Sequence, residues 1–265
     1  MRDFASLSFG GVTHVMAVIN LSPESRNLHT VAATLDQARA MAHRYRDWGA
    51  TVIDLGGQSS HYDNPTLSPT EESERLVPVV TALVGDGFVV SIDTWKPDVA
   101  RECLAAGAAI INDTGGLQDQ AMVEAVAQSS AAAVAVYVEG NNPHDVGAVD
   151  TGADKAWRTA ELFRERLRLL EDAGVKDVII DPGIALNYRG DYEAYTRLQL
   201  EVIRDSGFLH ELNRPVLIPI PRKKEFPRVM AFVTLALEYQ ADMIRVHDVK
   251  AACDLARLFG RLPRP

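Results

Sequence analysis

Several apolar runs in this chain end abruptly in a group that could do chemistry. Val52-Ile53-Asp54, Val89-Val90-Ser91-Ile92-Asp93, Ala109-Ile110-Ile111-Asn112-Asp113 and Val178-Ile179-Ile180-Asp181 close on a carboxylate or carboxamide. Met243-Ile244-Arg245-Val246-His247-Asp248 closes on a cation, an imidazole and an acid, and the run from Val15 closes on Asn20. Short β-branched runs of this kind read as strands buried on both faces, with their terminal polar residues at the C-terminal edge of the sheet. A site assembled there would gather Asn20, Asp54, Asp93, Asn112, Asp181, Lys223, Arg245 and His247 at one mouth. An Asp after a strand often caps the next helix instead. That plain role fits any one of them better than it fits all of them in register with strand ends.

The mixture of residue types indicates what such a mouth would hold. Carboxylates and Asn offer acceptors and donors suited to an amino-pyrimidinone edge, which presents adjacent N–H groups and a carbonyl. Arg245 and His247, with Asn20, suit a phosphate group or a metal–phosphate pair. The reading is a heterocycle pocket beside an anion pocket.

Eight strand-helix units must position these groups. The strand runs are Val15–Asn20, Val52–Leu55, Val89–Asp93, Ala109–Asn112, Ala132–Val138, Val178–Asp181, Pro215–Ile220 and Met243–His247. Helical spacing follows each, over Thr34–Trp48, Glu71–Val84 with Thr70 as its cap, a helix opening at Pro97, Gln120–Gln128, Lys155–Ala173, Tyr192–Ser206, Pro227–Tyr239 and Lys250–Phe259. This alternation, with no low-complexity segment or Pro/Gly linker, predicts one α/β domain over residues 1–265, a closed (β/α)8 TIM barrel. An open doubly wound sheet is the runner-up, for which a second lobe is missing. Leu7–Gly10 and Thr13 are expected to form a small hairpin under the barrel.

Composition sets the remaining bounds. With 47% apolar and 24% charged residues among 265, the chain has ample core material, and no apolar run approaches the roughly 18 residues that span a bilayer. The segment behind Met1 lacks an apolar h-region, so a cytoplasmic location is expected. A net charge of −9 argues against nucleic acid or an anionic membrane as partner. The exception is Arg222-Lys223-Lys224, for which a solvated loop is the plain alternative. Cys103 and Cys253 each sit in a helical pattern and read as buried core thiols.

Taken in order, Gly49-Ala50-Thr51-Val52-Ile53-Asp54-Leu55-Gly56-Gly57, Ser91-Ile92-Asp93-Thr94-Trp95-Lys96-Pro97, Ala106 to Asp113, Ile180-Asp181-Pro182-Gly183 and Arg245-Val246-His247-Asp248-Val249-Lys250 resemble the dihydropteroate synthase family, from about Val15 to about Phe259. That family joins a hydroxymethyl-dihydropterin pyrophosphate to p-aminobenzoate with loss of pyrophosphate. The resemblance implies that Asp93, Asn112, Asp181 and Lys223 grip the pterin ring and that Asp54 lies near the reacting carbon. Asp54, Asp93 and Lys223 then carry catalysis. It further implies that Asn20, Arg245 and His247 hold the pyrophosphate, with Asn20 on the Mg²⁺ side. A homodimer through the last helices follows family habit, although Leu255, Leu258 and Phe259 would serve as well for packing on the barrel.

The departures fall on the second substrate. Arg26 stands where the family has an aromatic residue, and His61 where its second loop has arginine. Val136-Tyr137-Val138 replaces Met-His-Met, and Ala185-Leu186-Asn187-Tyr188 replaces Gly-Phe-Gly-Lys. Pro221-Arg222-Lys223-Lys224 replaces Ser-Arg-Lys-Ser, ahead of a shorter loop and helix. The reading is therefore a pterin-binding transferase with an altered p-aminobenzoate subsite, an unidentified second substrate and doubtful dihydropteroate synthase activity. A pathway-specific enzyme using a reduced folate, and a non-catalytic pterin-binding paralogue, are the alternatives.

Overall fold

The computed structural model of the protein describes residues 3–25, 27–148, 150, 152–222 and 225–263. Its strands are β1 (His14–Asn20), β2 (Val52–Gly56), β3 (Val90–Asp93), β4 (Ile110–Asp113), β5 (Ala132–Val136), β6 (Val178–Asp181), β7 (Leu217–Pro219) and β8 (Met243–Val246). The helices are α1 (Leu35–Trp48), α2 (Pro69–Gly85), α3 (Pro97–Ala105), α4 (Gln120–Ala127), α5 (Lys155–Asp172), α6 (Tyr192–Arg204), α7 (Gly207–His210), α8 (Phe226–Glu238) and α9 (Val249–Leu258). Neighbouring strands pair in the order β6-β5-β4-β3-β2-β1-β8-β7. A parallel bridge between Ile180 and Val216 joins the two ends. The ring closes as the strand-helix count predicts, which excludes the open sheet.

Side-chain alternation divides the barrel lumen into two layers. Met16, Val52, Ile110, Val134, Ile179, Leu217 and Met243 pack together in the lower lumen. Two residues further along four of these strands stand Asp54, Asn112, Asp181 and Arg245. The same period that fills the bottom with apolar groups therefore delivers polar groups to the top, while the intervening residues, such as Ile53, Leu55, Ile111 and Ile180, pack outward against the helices. Burying those two apolar faces stabilises the barrel at roughly 25 cal/mol per Å² of apolar surface.

Local signals explain most element ends. Ser68, not Thr70, caps α2, because only Ser68 has Glu71 three positions on. Its hydroxyl accepts the Glu71 N–H while the Glu71 carboxylate reaches back to the Ser68 N–H. Strand β7 is shorter than its apolar run, since Pro215 supplies no N–H to a ladder. Helix α6 covers the expected Tyr192–Ser206 helix to within two residues, and a further single turn, α7, follows it after Ser206. The tight turn under the barrel lies earlier than expected, with Phe4 and Leu7 bridged across Ala5 and Ser6, and Leu7 enters the lower lumen. Thr13 instead donates its hydroxyl to the Ala241 carbonyl at 2.7 Å.

Cys103 and Cys253 are buried and unbridged, and burial pushes both thiols up to about 12. Leu255 and Phe259 pack against the core, whereas Leu258 is exposed. Among the described residues no helix is long and apolar enough to cross a membrane.

Candidate functional site

Arg245 organises the mouth. From β8 its Nε donates to Asp54 Oδ2 and its Nη2 to Asp93 Oδ2, each at 2.6 Å. Asp54 is fully buried and also accepts from Ser91 Oγ at 2.6 Å and, more weakly, from Asn112 Nδ2 at 3.4 Å. Asp93 takes a further bond from Thr114 Oγ1 at 3.3 Å. Register accounts for the Ser91 bond, since Asp54 lies level with Ser91 across β2–β3, and sets Asp93 level with Asn112 across β3–β4.

Asp181 completes the acidic set from β6. Its Oδ1 accepts the Gly183 N–H at 2.7 Å, the one hydrogen bond of its side chain among the described residues. Gly183 must be glycine: its φ is +70°, and a Cβ there would lie 1.8 Å from the Tyr137 carbonyl oxygen. Burial drives the Asp181 carboxyl up to about 7, against the Gly183 N–H and Arg245, with the Asp93 and Asp54 charges adding to the rise. Burial also takes Asp93 up to about 7; Arg245 opposes the shift, and Asp54 and Glu72 reinforce it. Burial alone would lower Arg245, but Asp54 and Asp93 outweigh it and hold the guanidinium firmly protonated.

The deep mouth is thus short of donors. Asp54 and Asp93 share Arg245, whose charge Asp181 feels without contacting it, and Asn112 Oδ1 is buried with no hydrogen-bond partner among the described residues. Buried polar atoms are nearly always paired. An orphan carbonyl oxygen and an underused, buried carboxylate at the ends of β4 and β6 therefore mark a mouth where a ligand with N–H groups completes the bonding.

The outer mouth is different. Asn20 donates to Thr30 Oγ1 at 2.7 Å, its partner lying in a short 3-10 helix, Leu28–Thr30, that folds back over β1. His247 Nε2 lies 2.9 Å from Asn27 Nδ2, and Nδ1 lies 3.5 Å from Thr30 Oγ1. An amide N–H on Nε2 assigns the ring proton to Nδ1. Burial, together with the Arg245, His29 and Arg222 charges, takes His247 down to about 3, so its imidazole is neutral. Asn20, His247, Arg245 and Asp93 all line a cavity of about 100 Å³. Beside it, sharing His247 and Arg222, lies a more apolar cavity of about 400 Å³ walled by Phe226, Val229, Met230 and Val233 of α8.

Loop contacts roof this mouth. Lys96, at the start of α3, donates to Gln58 Oε1, the Leu67 carbonyl and Glu72 Oε2 at 2.6–2.7 Å, which pins the β2 loop. His61 is buried under that loop with Nδ1 accepting the Asp63 N–H. The neighbouring Tyr62 ring lies 4.5 Å from the Arg189 guanidinium, and His144 reaches the Ser59 carbonyl at 2.9 Å. Val136 and Val138 pack into the lumen cluster while Tyr137 packs outward, so the lumen-facing positions at the end of β5 are apolar.

Seven of the eight sequence-derived candidates, Asn20, Asp54, Asp93, Asn112, Asp181, Arg245 and His247, reach the mouth. Lys223 lies outside the described residues, as do Arg26 and Lys224. Ser91, Thr114, Asn27, Thr30 and Gln58 were not foreseen as site residues. Ser91 carried a signal, standing two places before Asp93 and so on the same strand face. The others come from loops, where no period applies. No group of three or more His, Cys, Asp or Glu that could hold a metal occurs among the described residues.

A closed parallel barrel whose strand ends gather buried carboxylates, a carboxamide and an arginine has the build of a barrel enzyme acting on a small polar molecule. The comparisons narrow this. The model of the pterin binding enzyme family matches residues 16–247, and the chain belongs to that family. It is similar to the dihydropteroate synthase of Bacillus subtilis (strain 168), 30% identical over 276 residues that cover 97% of this chain and 91% of that protein. The dihydropteroate synthase of Escherichia coli (strain K12) is 29% identical over 262 residues, covering 92% and 90%. Among solved structures, the dihydropteroate synthase from Thermus thermophilus, in complex with 4-aminobenzoate, superposes with a TM-score of 0.78 at 27% identity, covering 98% of each chain. The Yersinia pestis dihydropteroate synthase with a bound sulfonamide drug gives 0.81 at 27%, covering 98% of this chain and 97% of that one.

Proposed function

We propose that this chain, one barrel domain, is a transferase of the dihydropteroate synthase type that keeps its pterin and pyrophosphate pockets and has an altered p-aminobenzoate subsite. The observation that carries the pterin pocket is the unpartnered Asn112 Oδ1 at the end of β4, with the buried Asp181 carboxylate two strands along the barrel at the end of β6. A pterin's amino-pyrimidinone edge brings the N–H groups these acceptors lack, and Asp93 and Lys223 complete the grip. Asp54 stands with Asp93 near the reacting carbon. There the carboxylates stabilise positive charge as the pyrophosphate leaves, a preorganised electrostatic effect. Once heterocycle N–H groups engage Asp93, Arg245 is released toward the leaving anion beside Asn20 and His247.

Asn20 Oδ1 accepts no hydrogen bond among the described residues, and Mg²⁺ commonly takes one or two protein oxygens plus substrate phosphates. The residues therefore fit Mg²⁺ held by Asn20 together with the ligand, where it would neutralise departing phosphate charge. His61 in place of the family's arginine supports poor activity with p-aminobenzoate. A cytoplasmic location and a homodimer through the last helices, with Leu258 exposed on α9, belong to the same reading.

A second reading, an enzyme using a reduced folate in the same pocket, is favoured by the apolar cavity of about 400 Å³ beside His247, whose size fits an aryl group. Calorimetry against a panel of pterins and folates tests both. Micromolar binding is expected, and Asp181→Ala should weaken it about tenfold or more, the effect of losing a charged hydrogen-bond partner. Absence of heat with every pterin and folate would refute the proposal.

A further inference from the structure

Gln58 stands in the outer mouth with half of its carboxamide unused. The residue is 6% exposed. Its Oε1 accepts Lys96 Nζ at 2.6 Å and the Leu67 N–H at 2.7 Å. Two donors on one atom identify it as the oxygen, so the other end is an NH₂ group. That Nε2 is buried and has no hydrogen-bond partner among the described residues.

One buried acceptor near Gln58 is also unpartnered, Glu72 Oε1 on the carboxylate that shares Lys96, but Glu72 does not line the small polar cavity. Gln58 lines the small polar cavity with Asn20, Arg245 and His247, whereas Asn112 and Asp181 do not line it. Gln58 therefore stands on the anion side of the mouth, with its unused donor buried behind that cavity wall. Among the described residues the one carboxylate on that cavity wall is Asp93, which is already taken by Arg245 and Thr114. Lys96 is fully used by Gln58, Leu67 and Glu72, so its charge reaches the cavity only through the Gln58 amide, which it polarises into a stronger donor.

Resting on the pterin reading above, we infer that Gln58 is a ligand-binding residue whose Nε2 donates to an oxygen of the phosphate-bearing arm of the bound heterocycle. Gln58→Glu is the diagnostic change: it is isosteric, keeps an acceptor for Lys96 and Leu67, and turns the donor into a charged acceptor. Gln58→Met removes the donor without adding charge.

Calorimetry on the full chain uses inorganic pyrophosphate as one probe and 6-hydroxymethylpterin, which lacks the phosphate arm, as the other. Both variants should lose at least about tenfold in pyrophosphate affinity, Gln58→Glu more than Gln58→Met, while the pterin stays within about twofold. If Gln58→Met melts early because Lys96 loses a partner, Gln58→Glu alone decides. Pyrophosphate binding unchanged in Gln58→Glu, or absent from the parent in the millimolar range, overturns the assignment even where the pterin binds. A parent that binds no pterin sinks the pterin reading, yet pyrophosphate lost on Gln58→Glu would still uphold the donor.

Discussion

Replacing Asp181 by asparagine isolates the excess negative charge of the mouth. Burial moves the Asp181 carboxyl from 3.8 to about 7, so between roughly pH 4 and pH 7 the native state holds a proton that the unfolded chain has released. Stability therefore falls as pH rises through that window and levels off above about pH 7. At about 1.36 kcal/mol per decade, the part lying between pH 5 and pH 7 is up to about 3 kcal/mol. Asp181→Asn keeps the acceptor for the Gly183 N–H and carries no charge, so this component should disappear. Asp93, raised to about 7, and Asp113, raised to about 6, keep theirs. Urea unfolding of parent and variant at about pH 5, 6, 7 and 8 measures it. The stability difference should shift in the variant's favour by about 1–3 kcal/mol up to pH 7 and then stay flat. A difference that is constant with pH, or that shifts the other way, would refute the claim that Asp181 is held as an uncompensated acid.

Three further outcomes are expected. Arg245→Met strands Asp54 and Asp93 without their shared cation and should cost about 3–5 kcal/mol in urea unfolding above pH 7, less near pH 5, where Asp93 takes up a proton. Lys96→Met leaves the buried Glu72 carboxylate uncompensated, again about 3–5 kcal/mol, and should speed limited proteolysis within Ser59–Asn64. Complementation of a bacterial strain lacking its own dihydropteroate synthase should fail or be weak, with p-aminobenzoate turnover below the ordinary range of about 1–10³ s⁻¹; robust growth would make the loop departures neutral variation.

What was legible in the sequence follows from periodicity. Asp54, Asn112, Asp181 and Arg245 stand two residues beyond Val52, Ile110, Ile179 and Met243, and a period of two can deliver them only to the lumen that those apolar residues fill. The strand count then forces them to one mouth. The Ser68 cap carried a signal too, Glu71 three places on, but the sequence reading placed the cap at Thr70. The partnerships were not legible. Arg245 meets Asp54 and Asp93 across 191 and 152 residues of chain, and only the closing of β8 on β1 and of β2 on β3 makes them neighbours. Asn27 and Thr30 reach His247 because a 3-10 turn folds back over the end of β1, which depends on loop conformation rather than on any repeating pattern.

The distribution of charge partners separates scaffold from site. Away from the deep mouth, Lys96 closes on Glu72, and Lys155 closes on Glu139 with Tyr137 at 3.3 Å; each buried cation meets one carboxylate and further acceptors within the chain. A fold gains most from such an arrangement when both charges are compensated, because removing either partner leaves a desolvated charge behind. In the deep mouth the same chain sets Asp54, Asp93 and Asp181 around one guanidinium and leaves Asn112 Oδ1 bare. Stability alone gives no reason to keep that imbalance, since burial already pushes two of these acids up to about 7. A ligand that brings N–H donors and positive character gives one, and it would bind with the site's unmet hydrogen bonds as its driving term.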